Sequence, residues 1–219
     1  MQTLKLSELA TTLGKQAEER VLPNGRQVNM LVWEPSDLKD ISRLLHSQSS
    51  GYTAEGGVLL DGAAPAWLVT GIAHELHPAA VYLPTSQGEI PIGCRAPEGK
   101  GCGENLEFST ELRDGWLVVE MTQQDPSVPL DLTKTSEIVP PALPEDVNFK
   151  GVLLSGRMPN LVMASVAQAY QHSPRVGAVG LCQATSEGLV ATVSVTHNPE
   201  IPLGTQVKLQ NTSKAKVKL

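Results

Sequence analysis

Aromatic side chains are scarce in this chain, with three Trp, three Tyr and two Phe among 219 residues. Aliphatic Val, Leu and Ala must therefore fill most of any core. Positive charge is also in short supply. Seventeen Lys and Arg face 23 Asp and Glu, for a net charge of −6. Proteins that grip duplex DNA are usually basic, so duplex DNA is not an expected partner. A compact anion held by a few placed groups fits this charge better. Cysteine is limited to Cys94, Cys102 and Cys182, an odd number with no CxxC pair. That pattern reads as free thiols in a reducing, cytoplasmic setting. Long apolar runs are missing as well. "AAPAWLVTGIA" falls far short of the roughly 20 residues of a membrane span. The opening "MQTLKLSELATTLGKQAEER" lacks the unbroken apolar stretch of a secretory signal. No membrane partner is expected.

What is present suits a folded α/β protein. Apolar residues make up 41% of the chain and charged ones 18%. The pattern predicts a helix over 7–20 with Ser7 as cap, and a strand at 26–33. A helix follows from Ser36 or Asp37, with Leu38, Ile41, Leu44 and Leu45 on one side. "QSSGYTAEGG" (48–57) reads as a loop. "VLLDG" is a short strand, the segment after Pro65 a helix, and 79–84 another strand. "LEFSTEL" and "GWLVVEM" form a hairpin across Arg113, Asp114 and Gly115. The stretch 122–148 is a proline-rich connection. "KGVLLSG" predicts a buried strand, "RMPNLVMASVAQAYQHS" a helix, and two strands follow.

The two halves resemble each other. "GVLLDGAAPAWLVTGIAHELHP" (57–78) aligns with "GVLLSGRMPNLVMASVAQAYQHSP" (151–174). Val58, Leu59, Leu60, Gly62 and Pro65 fall on Val152, Leu153, Leu154, Gly156 and Pro159. His77 falls on His172 after one inserted residue. "EIPIG" (89–93) and "EIPLG" (200–204) read as the closing stretches of the two units. An internal duplication follows. The expected organisation is a truncated first copy over 1–93, a Gly-rich linker over 94–104, a complete second copy over 105–210 and a basic tail over 211–219. One strand and its turn, with the counterpart of His197, are expected to be missing from the first copy. Two strand–helix–strand units predict a largely parallel centre, either as one sheet or as a pseudo-dimer with a cleft at its seam.

Three sets of residues invite a chemical reading. "LLSGRMP" places Gly156 and Arg157 between a strand end and a helix start, where free N–H groups and a guanidinium suit a phosphate. The alternative is an ordinary turn with a surface Arg. His172 ends a helix and His197 ends a strand. Either can move a proton near neutral pH, or simply cap its element. "HELH" puts His74 and His77 three residues apart. That is not the spacing of a zinc-binding HExxH, and two ligands do not complete a metal site.

The stretch "PPALPEDVNFKGVLLSGRMPNLVMASVAQAYQHSP…GAVGLCQ…GLVATVSVTHNPEIPLG" resembles the third ring-nuclease class of small CRISPR-associated proteins. The resemblance covers roughly 105–210, with a weaker match through 57–93. It implies a Rossmann-like fold, dimer formation, and cleavage of cyclic tetra-adenylate, the second messenger of type III CRISPR systems. Arg157, His172 and His197 occupy the family's motif positions. The resemblance alone implies manganese as cofactor; the metal ligands stay open. The family's Asp-Pro-Arg turn is replaced by "CQATSEG" (182–188), with Gln183 at the Asp position and no Arg following. The expected catalytic residues are His172 and His197, and the expected ligand-binding residues are Gly156, Arg157 and Gln183. The expected ligand is a cyclic oligoadenylate or short RNA. The alternative expectation is a non-catalytic accessory subunit or nucleotide sensor of a type III assembly, partnered by effector components or by a second copy.

Overall fold

The computed structural model describes residues 1–21, 24–48, 56–185 and 188–209. Most of the loop expected at 48–57 and the expected basic tail lie outside the described residues. The fold is mixed α/β, with several sheets and few helices. In chain order the elements are β1 (Gln2–Lys5), α1 (Leu6–Thr12), β2 (Ala17–Val21), β3 (Gln27–Leu31), α2 (Asp37–Gln48), β4 (Val58–Asp61), α3 (Ala66–Glu75), β5 (Val81–Thr85) and β6 (Gly88–Pro91). They continue with β7 (Leu106–Arg113), β8 (Trp116–Gln123), a short 3-10 helix (Leu132–Glu137), β9 (Val152–Ser155), α4 (Asn160–Gln171), β10 (Ala178–Thr185), β11 (Gly188–Thr196) and β12 (Gln206–Leu209).

A four-stranded sheet has the order β1-β4-β5-β6, and a six-stranded sheet the order β12-β11-β10-β9-β8-β7. β2 and β3 form a separate hairpin. The first sheet repeats the directions of the middle of the second. β1, β4 and β5 are parallel and β6 returns antiparallel. β8, β9 and β10 are parallel and β11 returns antiparallel. The second sheet adds β7 and β12 at its flanks. Asp114 and Gly115 both have positive φ, which lets this Asp-Gly pair turn the β7–β8 hairpin tightly.

The closing stretches differ from expectation. Glu89, Ile90 and Pro91 of "EIPIG" lie in β6, paired with β5. "EIPLG" lies in the turn region between β11 and β12. The positional match is instead between "TSQG" and "TSEG": Thr85 Oγ1 donates to the Gly88 carbonyl at 2.8 Å, and Thr185 Oγ1 to that of Gly188 at 3.0 Å. The strand expected to be lost from the first unit is therefore present in short form. The opening helix is also shorter than expected, because β1 precedes it and β2 follows it.

Both helices of the repeated units are apolar nearly all round, as a buried helix must be. Trp67, Leu68 and Ile72 of α3 join Leu161, Val166 and Tyr170 of α4 in one core with Leu60 and Val81 of the first sheet and Val119, Leu154 and Val179 of the second. α3 and α4 run side by side in the same direction. At their starts Asn160 Nδ2 donates to the Ala64 carbonyl at 2.7 Å. At their ends the rings of His77 and His172 lie 5.2 Å apart. α3 also crosses β11, where a Cβ on Gly71 would stand 3.1 Å from the Ser194 carbonyl oxygen. The Gly-rich 94–104 stretch lies along the proline-rich connection. Arg95 N–H donates to Ile138, Glu98 N–H to Pro140, and Cys102 and Val139 exchange N–H bonds.

Candidate functional site

Parallel strands in an open α/β sheet deliver their C-terminal ends to one edge, the usual place for a ligand. At that edge β4 passes through Gly62 into α3, and β9 through Gly156 into α4. Both glycines hold positive φ, +122° and +137°. A Cβ on Gly156 would sit 2.3 Å from the Met121 carbonyl oxygen, so only glycine fits there. Pro65 and Pro159 occupy matching N-cap positions in extended backbone, with ψ of 151° and 147°. Arg157 is exposed beside the second turn. The equivalent turn of the first unit reads Asp61-Gly62-Ala63 and carries no cation. Gln183, exposed near the end of β10 opposite Val190, belongs to the same edge.

His172 and His197 lie at the other edge. His172 caps the C-terminus of α4, and His197 follows β11 with its N–H bonded to the Gly177 carbonyl at 2.8 Å. Gln171 joins them. Its buried side-chain amide donates toward His172 Nε2 at 3.4 Å, and its carbonyl accepts from His197 Nε2 at 3.2 Å. A carbonyl only accepts, so His197 carries its proton on Nε2 and presents Nδ1 as a base. The first unit contributes two more imidazoles. His74, from the last turn of α3, meets His197 edge-on at 5.5 Å between ring centres, and His77 meets His172. Burial pushes the His74 pKa below its ordinary 6.5, and the three neighbouring histidines push the same way against Glu75. Its Nδ1 is buried with no hydrogen-bond partner among the described residues.

The structure thus joins His172 with His197 and separates them from Gly156, Arg157 and Gln183. α4 spans 12 residues, about 18 Å at 1.5 Å per residue, and lies between the two groups. Arg157 therefore stands a helix length away from His172 and His197. Sequence spacing singled out His74 and His77 but joined them to no site, and it missed Gln171, because their meeting depends on the parallel packing of α3 against α4. Cys94 and Cys182 are not candidate nucleophiles: burial pushes both thiols up to about 12. Among the described residues no group of three or more His, Cys, Asp or Glu is placed to hold a metal ion. Among the described residues no helix is long and apolar enough to cross a membrane. No protein-family model matches the chain, and no curated protein matches it in sequence.

Proposed function

We propose that the protein is a type III CRISPR accessory protein that binds a cyclic oligoadenylate of the cyclic tetra-adenylate class. It would be built as a pseudo-dimer of two Rossmann-like units. Repeated strand directions, the repeated glycine turns and the contact between the equivalent His77 and His172 support that architecture. The observation that carries the reading is the cluster of four histidines drawn from both units. Such a cluster suits metal-free phosphodiester cleavage. His197 Nδ1 takes the proton of a ribose 2′-hydroxyl, whose oxygen bonds to phosphorus. The 5′ oxygen leaves with the Nδ1 proton of His172, whose Nε2 faces the Gln171 amide, and the ring opens to a linear product ending in a 2′,3′-cyclic phosphate. His74, kept neutral, limits the charge that the cluster carries.

A second reading is a binding subunit without turnover. The length of α4 favours it, because the anion-ready turn and the histidines face opposite edges. Gln183, in place of a carboxylate, favours it too. Labelled cyclic tetra-adenylate, incubated with purified protein with and without manganese, separates the readings. Linear product that falls about 100-fold in His172→Ala and His197→Ala is expected from the first. Binding without product supports the second. Neither binding nor product at micromolar ligand overturns both.

A further inference from the structure

Beneath the β2–β3 hairpin, at the C-terminal edge of the first unit, lies a half-open cleft of about 600 Å3. Met30, Leu31 and Trp33 line it together with Asp61, Gly62 and Ala64. We propose that this cleft is a binding site for a flat heteroaromatic ring bearing an exocyclic amino group, of the adenine type. The proposal rests on the oligoadenylate reading above and assigns the base to the first unit.

Several independent features point this way. The phosphate-binding features of the second unit are lost here, since Asp61 and Ala63 replace Ser155 and Arg157. A carboxylate repels phosphate but accepts hydrogen bonds from an amino group. The cleft walls are apolar, and Met30 stands 44% exposed on a strand of an otherwise aliphatic protein. Exposed apolar surface in a concave site with a few polar groups is the usual form of a small-molecule pocket. Trp33 supplies an indole whose Nε1 is buried and has no acceptor among the described residues. Lys15, ion-paired to Asp37 at 2.8 Å, lies 6.0 Å from the indole centre. Its ammonium is thereby held close to the ring. The cleft also neighbours the start of α4. Gly62 lines both it and a second cavity, of about 330 Å3, that reaches Pro159 and Asn160. Asn160 is bonded to Ala64 and stands three residues from Arg157. On this proposal the phosphate of a base seated in the cleft extends along the start of α4 toward the Arg157 turn.

Fluorescence titration of the full chain tests this, because Trp67 and Trp116 are 3% and 4% exposed and Trp33 is the tryptophan within reach of a ligand. Adenosine is expected to quench with a Kd below about 1 mM. Inosine, with a carbonyl in place of the amine, is expected to bind ~10-fold more weakly, as is adenosine to Asp61→Ala. Met30→Glu should abolish quenching. Arg157→Ala should leave adenosine unchanged and weaken adenosine monophosphate ~10-fold. Met30 and Asp61 are exposed, so unchanged melting curves will certify the variants. Equal binding of adenosine and inosine, or full binding by Met30→Glu, overturns the proposal. Cyclic tetra-adenylate that binds without a Trp33 response overturns the cleft and leaves the function standing. Adenosine that binds while cyclic tetra-adenylate does not overturns the function instead.

Discussion

The buried Nδ1 of His74, without a hydrogen-bond partner among the described residues, ties the histidine cluster to the stability of the fold. In the folded chain its pKa lies below 6.5, the value of a free imidazole. The unfolded chain therefore binds the proton more readily as pH falls below 6.5, and protonation favours unfolding. The stability that neutral His74 contributes is present above pH 6.5 and is lost as pH drops through the depressed value. The urea midpoint should fall between pH 7.5 and 5, and His74→Gln should flatten that fall. An equal fall in the variant would locate the titration elsewhere. Backbone conformation sets a second residue-scale expectation. Gly156→Ala forces a Cβ against the Met121 carbonyl oxygen and should cost about 3 kcal/mol, read from urea unfolding. Gly188→Ala meets open space, so only the strain of its φ of +116° counts against it, and it should cost about 1–2 kcal/mol. The Gly-x-x-Pro turns were legible in sequence because glycine and proline fix backbone geometry locally. The histidine cluster was not. "HELH" lacks a metal spacing, and nothing local announces that α3 will bring it to His172 and His197.

Among the elements, α4 and the proline-rich connection depend on each other. Tyr170 is fully buried, and its hydroxyl donates to the Pro141 carbonyl at 2.7 Å. Tyr170→Phe should cost about 1–2 kcal/mol, because it leaves a buried carbonyl without its donor. Limited proteolysis should then cut within 122–148 sooner than in the wild type; unchanged cleavage would show that the connection is held by other contacts. The helices α2, α3 and α4 and the β7–β8 hairpin were readable from apolar period, proline placement and the Asp-Gly turn. β1, β6 and β12 were not. Each has four residues, and in each one residue is buried, which gives too little alternation to mark a strand. The shared letters of "EIPIG" and "EIPLG" misled for the same reason. A strand end and a turn can carry the same five-residue composition, and only pairing distinguishes them.

Across the whole molecule, α3 packs beside α4, and the two ends of this pair lie at opposed edges. One edge carries Gly156 and Arg157 beside an apolar cleft with a carboxylate. The other carries four imidazoles and no arginine of the anion turn. Under the proposed function this division makes ligand binding and bond cleavage separable properties, each with its own residues. Arg157→Ala should weaken binding without altering the histidines, and His197→Ala should slow any cleavage without altering the affinity. The most direct measurement is equilibrium binding of cyclic tetra-adenylate to the full chain by calorimetry. The expected result is one ligand per chain with a Kd near about 1 μM, weakened at least ~10-fold by Arg157→Ala. No heat of binding at about 100 μM ligand, or identical affinity in Arg157→Ala, would contradict it.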